Sequence, residues 1–251
     1  MSIKQAWVSV GALLLLATSS CLAFSWQGSA WRPVVSLGAG ASIASNIGPY
    51  AYFSIVNPLT DEYYQYNNNP VHQTAILGDA FIGAEHQSEL HGLFQLGLDY
   101  SQSSSFQASG MLTKGADFPP STASYSYNVI ARQLLIEGKW LMTFKERYHP
   151  YVLAGVGSSF NTASEFSVQV PPYVTREYQD NTSISFSYAA GLGLDADVNN
   201  HIRLGLGYRF ADLGEVALGD ASINGVGASG TLVQNHLYSN EVLAEVTYLF
   251  D

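Results

Sequence analysis

The chain has 251 residues, of which 47% are hydrophobic and only 12% are charged, and its formal net charge is −10. The hydrophobic content excludes a disordered chain, and the charged fraction is about half the usual share. The acidic balance argues against a nucleic-acid partner, because a nucleic-acid binder needs a basic surface to displace counterions.

The N-terminus has the features of a secretory signal. Lys4 supplies a positive charge, Ala6–Ala17 is an apolar run, and small residues lead to a cleavage point after Ala23. The run is shorter than the roughly 20 residues that a membrane helix needs. We therefore predict a signal peptide over residues 1–23 and a mature domain over residues 24–251. An uncleaved anchor and a lipoprotein modified at Cys21 are the alternatives.

No later segment has 18 consecutive apolar residues, which excludes a helical membrane protein and leaves a secreted β-protein or a membrane β-barrel. Eight segments alternate large apolar residues with small or polar ones, as strands do. In chain order they are Val35–Ile43, Thr74–Glu85, Gly92–Tyr100, Tyr127–Met142, Tyr148–Ser158, Phe186–Ala196, Ile202–Phe210 and Glu241–Phe250.

The connections between these strands alternate between long and short, which is typical of an up-and-down barrel with short turns at one end and long loops at the other. A closed barrel leaves no unpaired strand edge in hydrocarbon. The apolar face would then meet lipid, and the face rich in Gly, Ser and charge would line a narrow lumen.

For the hairpin around Asp197–Asn200, the arrangement predicts which residues lie opposite one another. We expect Leu194 to lie opposite Leu204 on the lipid side, and Asp195 to lie opposite Arg203 in the lumen. Gly193 also faces the lumen, so we expect Gly193→Ser to be tolerated far better than an arginine at Leu194.

Aromatic residues fall near the strand ends, as an aromatic girdle requires, and one charged residue, Arg132, falls on a lipid face. The girdle residues are Tyr100, Trp140, Tyr148, Tyr188, Tyr208, Phe210, Tyr248 and Phe250. A soluble lipocalin-like barrel or a β-sandwich would also alternate. The loop pattern, the aromatic ends and the low charge favour the membrane barrel.

Three segments resemble a known family. PYVLAGVGSSF (Pro150–Phe160), GLGLDADVNNHIRLGLGYRF (Gly191–Phe210) and VLAEVTYLF (Val242–Phe250) are similar to segments of the eight-stranded outer-membrane β-barrels of the OmpA-like and opacity-protein type. One departure is that Glu245 stands where the closing strand of such proteins usually has Gly.

The resemblance implies an all-β fold, an eight-stranded antiparallel up-and-down transmembrane barrel with short periplasmic turns and four long extracellular loops. It also implies the outer membrane of a Gram-negative bacterium, contact with outer-membrane lipid and lipopolysaccharide, and insertion by the barrel-insertion machinery.

Charged residues on the lumen faces are predicted to form a network, because charges away from water must be paired. The candidates are Asp79, Glu137, Asp195, Arg203, Arg209 and Glu245, and the same faces carry Glu85, Asp99, Lys139 and Glu241. Such a network could act as a gate or narrow pore, or as a polar plug, and an eight-stranded interior favours the plug.

Tyrosines cluster in the first long loop, within YAYF (Tyr50–Phe53) and DEYYQYNNNP (Asp61–Pro70). Clustered Tyr with Asn is typical of recognition loops, and the candidates are Tyr50, Tyr52, Tyr63, Tyr64 and Tyr66. The alternative is an aromatic girdle beside a solvated loop. The last loop, Ala221–Leu232, is rich in Gly and Ser, and we expect it to be mobile.

The six histidines show no metal-ligand spacing, and we expect those beside the short turns, such as His149, to be solvated. No nucleophile–base pair is evident. We therefore predict no catalytic residue, no cofactor and no metal, and a structural or surface-interaction role through the long loops, with host or cell-surface ligands as partners. The alternatives are a small diffusion pore or transporter and, less favoured, a membrane-embedded hydrolase acting on lipid.

Overall fold

The computed structural model describes residues 31–45, 47–57, 60–69, 72–88, 92–115, 121–169, 176–223 and 225–250. The signal peptide predicted over residues 1–23 lies outside these residues. Nowhere in the described part is there a helix long and apolar enough to cross a membrane.

The described chain folds into β-strands. In chain order they are β1 Trp31–Ala44, β2 Ala51–Asn57, β3 Thr60–Asn68, β4 Gln73–Ser88, β5 Gly92–Ser103, β6 Phe106–Gly115, β7 Ser121–Ile130, β8 Arg132–Met142, β9 Tyr148–Gln169, β10 Glu177–Tyr178, β11 Asn181–Asp197, β12 Ile202–Asp212, β13 Val216–Ala217, β14 Ala221–Ile223, β15 Val226–Ala228, β16 Val233–Gln234 and β17 Tyr238–Leu249.

Eight of the strands close a ring. The order is β1-β4-β5-β8-β9-β11-β12-β17, and β17 returns to β1. The ring is antiparallel, so the predicted up-and-down barrel is confirmed. The pairing of β17 with β1 joins the two ends of the described chain and removes the sheet edge.

Alternation along each strand sorts side chains between the outside and the lumen, as predicted. On β12, the outward Leu206 is 62% exposed, whereas Arg203 and Arg209 on the other face are 2% and 3% exposed. The same division separates exposed Ile82 from buried Asp79 on β4. The barrel therefore has an apolar outer wall and a polar interior.

The register predicted for the β11–β12 hairpin is wrong by two residues. Leu194 pairs with Leu206, and Asp195 pairs with Gly205. The turn lies one residue later than expected, because the side-chain oxygen of Asn199 accepts hydrogen bonds from the backbone N–H groups of His201 and Ile202, at 2.8 and 2.9 Å. A shift of two keeps every side chain on its predicted face.

The strand predicted over Tyr127–Met142 is divided at Ala131 into β7 and β8. Both halves pair with β9, which continues past the break. The break is fixed from β5, because Ser103 N donates to Ala131 O at 2.9 Å and Ala131 N donates to Ser103 Oγ at 3.1 Å.

The long connections also contain strands, and these extend the barrel wall. β9 has 22 residues, about twice the 9–11 that cross a membrane, and along its outer half the same sheet continues in the order β9-β7-β6-β3-β2. The hairpins β2–β3 and β6–β7 therefore form a sheet extension at the loop end of the barrel.

The sheet extension covers an apolar core that continues into the loop end of the barrel. Its fully or nearly fully buried members include Tyr66, Phe106 and Tyr125 from the extension, and Leu232 and Leu237 from the last long connection. The mobile loop predicted over Ala221–Leu232 is thus partly wrong, because its two ends are buried while most of residues 225–231 are exposed.

Candidate functional site

The lumen contains an ion-pair cluster centred on Arg209 of β12. Its Nε donates to Glu241 Oε2 at 2.6 Å, and its Nη1 lies 3.0 Å from Asp99 Oδ2 and 3.1 Å from Asp79 Oδ2. Glu137 Oε2 is 4.0 Å from the same nitrogen. In the ring, β5 with Asp99 lies four strands from β12, so this guanidinium joins opposite walls of the barrel.

A second cluster is centred on Lys139 of β8. Its Nζ lies 3.0 Å from Asp195 Oδ2 and 3.1 Å from Glu245 Oε2, and 3.8 Å from the centre of the Tyr151 ring. Glu245 is on β17, again four strands away around the ring. This lysine is a second brace across the lumen.

A third cluster lies at the turn end. Arg203 donates from Nη1 to Glu85 Oε2 at 2.6 Å and from Nε to Asp197 Oδ1 at 2.7 Å, and His149 Nε2 lies 2.8 Å from Asp197 Oδ2. Partial burial alone would raise the pKa of Asp197, but the hydrogen bonds from Arg203 and His149 outweigh it and lower this pKa.

The three clusters bring together the six predicted lumen residues, but with different partners from those expected. Arg203 pairs with Asp197 rather than Asp195, which binds Lys139 instead. Sequence reasoning missed Asp197 and His149. It placed His149 in a solvated turn, whereas the side chain is 3% exposed. Carboxylates outnumber cations in the lumen, and each cation there contacts at least two of them.

The five tyrosine candidates of the first long connection divide into two groups. Tyr50 and Tyr52 are 73% and 60% exposed, and the Tyr52 ring stacks on Tyr63 with centroids 5.8 Å apart. Tyr64 and Tyr66 are buried, at 1% and 0% exposure. The expectation that these two face a partner is wrong for this conformation, because alternation along β3 points them into the apolar core.

Tyr66 is the centre of an aromatic cluster within the sheet extension. Its ring packs edge-on against Phe53, Tyr125 and Tyr178, with centroids 6.1, 5.4 and 6.0 Å away. Burial raises the pKa of Tyr66 and of Tyr178, so both hydroxyls keep their protons at neutral pH.

Arg176 lies in the same cluster and is 1% exposed. Its guanidinium carbon is 4.5 Å from the centre of the Phe53 ring and 5.4 Å from that of Tyr64. Sequence reasoning missed it: Arg176 is the one basic residue of the third long connection, but Glu177 follows it directly, so the sequence gives no sign that its charge is buried without an acidic partner.

Two histidines form side-chain pairs near the loop end. Ser45 Oγ lies 2.7 Å from His72 Nδ1, and His236 Nδ1 lies 2.9 Å from Asp212 Oδ2. A catalytic triad needs a nucleophile and an acid on one histidine. Among the described residues, His72 has a serine without an acid, and His236 has an acid without a nucleophile.

One known family matches nearly the whole chain. The family described as "Outer membrane protein beta-barrel domain" matches residues 11–250. A search of curated protein sequences found no significant match.

Several solved structures are similar at low sequence identity. Neisserial surface protein A is 16% identical, with a TM-score of 0.42 over 88% of this chain and 97% of its own. The outer membrane protein OprG from Pseudomonas aeruginosa is 14% identical, with a TM-score of 0.48 over 86% and 95%. The outer membrane protease OmpT from Escherichia coli is 9% identical, with a TM-score of 0.41 over 88% and 96%.

Proposed function

The chain belongs to the outer membrane protein beta-barrel domain family, and from this premise we propose that it is a barrel whose extracellular sheet extension binds a surface partner. It is an integral protein of a Gram-negative outer membrane, with lipid and lipopolysaccharide around its apolar wall. The turn end then faces the periplasm, and the loop end with the sheet extension faces outside.

The observation that carries this proposal is a pair of exposed tyrosines at the start of β2, Tyr52 on the strand and Tyr50 directly before it. The strand β2 is hydrogen-bonded through β3, β6 and β7 to the barrel, so it holds Tyr52 in place and positions Tyr50 beside it. Tyrosine offers a large contact area with little conformational entropy to lose. A rigid platform that exposes two such rings to water is typical of a recognition surface.

The test is attachment by bacteria that display the protein. Cells expressing the wild type or the double variant Tyr50→Ser/Tyr52→Ser would be scored for adhesion to one another and to surfaces coated with collagen, fibronectin or mucin. We expect the variant to lose attachment while its barrel still migrates faster on a gel before boiling. Val226→Ser, at another exposed apolar position, is the matched control. Equal attachment by all three proteins would contradict the proposal.

The alternative function, a small diffusion pore, receives less support from the lumen. Arg209 and Lys139 each reach the opposite wall, so ions would have to break these pairs to pass. We expect the refolded protein to give no steady single-channel conductance in planar bilayers. A stable open level at neutral pH would favour the pore instead.

We also propose that the protein is not an enzyme. The Ser45–His72 and Asp212–His236 pairs each lack one member of a triad among the described residues. The expectation is that purified protein releases no fatty acid from lipopolysaccharide and cleaves no peptide. Hydrolysis that disappears in His236→Ala or His72→Ala would contradict it.

The barrel-insertion machinery is a further proposed partner, acting on β17. Tyr248 and Phe250 keep the aromatic spacing of the closing strand, and their rings pack edge-on at 4.8 Å, although Glu245 replaces the usual Gly. Phe250→Ala should slow insertion in cells while leaving refolding into detergent intact. Equal insertion rates for Phe250→Ala and wild type would contradict recognition of the closing strand through Phe250.

A further inference from the structure

The apolar core of the sheet extension contains one buried cation, Arg176. The guanidinium lies against the Phe53 and Tyr64 rings, and contacts with ring faces do not use the in-plane N–H groups of a guanidinium. In the part of the chain that the structure describes, Nε and Nη1 of Arg176 have no hydrogen-bond partner.

Within the described part of the chain, two phenol hydroxyls close to Arg176 are also buried without a hydrogen-bond partner. The hydroxyl oxygens of Tyr66 and Tyr178 lie near each other and near the guanidinium. Both are buried without a hydrogen bond of good geometry among the described residues. A buried donor without an acceptor is costly. Four such atoms in one cluster indicate a missing acceptor.

The contrast with the lumen identifies what is missing. Arg209 is also deeply buried, and its Nη2 likewise has no hydrogen-bond partner among the described residues, yet its Nε donates to one carboxylate and its Nη1 lies beside two more. Arg176 makes no ion pair with an acidic residue whose side chain the structure describes, and the rings of Phe53 and Tyr64 lie against it. Its charge is therefore left uncompensated by the described protein.

We propose that this cluster binds an organic carboxylate with an apolar or aromatic body. The carboxylate would accept hydrogen bonds from Arg176 and from the hydroxyls of Tyr66 and Tyr178. A guanidinium matches a carboxylate in a two-pronged geometry, and one cation balances one negative charge. The Phe53 and Tyr64 rings would contact the apolar body. This assignment does not depend on whether Tyr50 and Tyr52 bind a partner.

The last long connection is the route by which a ligand would reach the cluster. Gly230 has a φ of 94° and lies against the Phe53 ring, where an added Cβ would collide with it. Most of the surrounding tip, residues 225–231, is exposed, and Gly225 has no neighbouring atom within 4 Å of the place of a Cβ. We therefore expect access past this tip, which few contacts hold in place.

The experiment uses the full mature chain refolded in detergent and two fluorinated probes. 4-Fluorobenzoate carries the carboxylate, and 4-fluorobenzamide has the same body without the charge. Line broadening in ¹⁹F NMR reports binding of each probe. The wild-type protein should broaden the ¹⁹F signal of 4-fluorobenzoate and leave the signal of 4-fluorobenzamide sharp. No broadening of the acid, or equal broadening of both probes, overturns the proposal.

Variants assign the binding to this cluster. Arg176→Gln should weaken binding of the acid by about tenfold or more, because a charged hydrogen-bonding pair is lost. Tyr66→Phe and Tyr178→Phe each remove only one hydroxyl and should weaken binding by a smaller factor. Arg132→Gln removes an arginine that hydrogen-bonds Thr162 on the barrel wall and should leave binding unchanged.

Two further measurements show whether the hydroxyls and the rings take part in binding. If Arg176→Gln does not assemble, the two Tyr→Phe variants decide, and unchanged binding in both overturns the proposal. Inorganic phosphate should displace 4-fluorobenzoate only in large excess, because phosphate gains nothing from the rings. Displacement of 4-fluorobenzoate by an equal concentration of phosphate would overturn the proposed preference for an apolar ligand body and indicate a simple anion site. If 4-fluorobenzoate binds but the attachment assay shows no role for Tyr50 and Tyr52, the carboxylate site stands and the proposed surface-recognition function fails.

Discussion

The membrane-spanning part of the barrel and its sheet extension are made of strands that run on from one to the other, yet they differ in how much charge they bury. Inside the barrel, buried ion pairs lie beside small apolar clusters such as that of Leu141 and Tyr151, and Arg209 and Lys139 reach across the lumen. Inside the sheet extension the buried groups are apolar, with Tyr66, Leu232 and Leu237 nearly inaccessible. The change occurs where the wall leaves the bilayer.

The two regions show that the surrounding solvent decides which face of a strand is buried. In the bilayer the apolar face is satisfied by lipid, and the polar face has only the lumen. Outside the bilayer, apolar surface gains by leaving water, and it therefore turns inward onto the last long connection. Arg176 is the exception in the extension, a charge in an apolar core.

The largest effect that would test this comparison is removal of the central lumen cation. Arg209→Ala leaves Asp79, Asp99 and Glu241 without their shared partner, and we expect a loss of about 3–5 kcal/mol in the free energy of unfolding. The measurement is the urea midpoint of the refolded protein in lipid vesicles. Arg209→Lys keeps a charge and should recover part of the loss. An unchanged midpoint for Arg209→Ala would mean that the ion pairs do not stabilise the lumen.

A charge on the lipid face is expected to cost slightly less and to depend on depth. Leu206 lies near the middle of β12, so Leu206→Arg should cost about 2–4 kcal/mol. Leu204→Arg lies nearer the periplasmic turn and should cost less. The same vesicle titration measures both. Equal losses at the two positions would contradict the assignment of the outer wall to lipid.

Truncation in the apolar core of the sheet extension should have a more local effect. Leu237 is fully buried there, and Leu237→Ala should destabilise the extension by about 2 kcal/mol through the cavity it leaves. We expect faster proteolysis of the extracellular connections, while the barrel keeps its mobility shift on heating. A loss of that shift would mean that the two regions unfold as one unit.

The smallest expected effect is a pH dependence at the periplasmic end. The pKa of Asp197 is lowered in the folded state, so its stabilising contribution is complete above its unfolded pKa of about 3.9 and is lost as the pH falls through the folded pKa. Asp197→Asn should therefore lose less stability than wild type when the urea midpoint is followed from pH 6 to pH 3. If the urea midpoints of wild type and Asp197→Asn fall in parallel with pH, titration of Asp197 does not contribute to stability.

Sequence patterns predicted the features of the fold that depend on one strand at a time. Alternation placed Leu206 outside and Arg209 inside, and the alternating connections predicted the barrel. Gly193 shows the limit of such reasoning. The sequence predicts that it accepts a serine, but the carbonyl oxygen of Leu206 and the Tyr151 ring, on the two neighbouring strands, lie where a Cβ would stand, so Gly193→Ser requires both the backbone and this ring to move.

The partners within the lumen depend on the closed ring, since Arg209 meets Asp99 only because β12 and β5 face each other across it. Likewise, Tyr64 and Tyr66 belong to a loop-like sequence, and their burial depends on strands from distant connections.

The fold class, the lipid face and the charged character of the lumen can be read from the chain alone, because they follow from a period of two along single strands. Which charges meet, which tyrosines reach water and where Arg176 is enclosed depend on the folded structure. These outcomes are set by ring closure and by the packing of remote connections, and contacts between distant segments leave no local pattern in the chain.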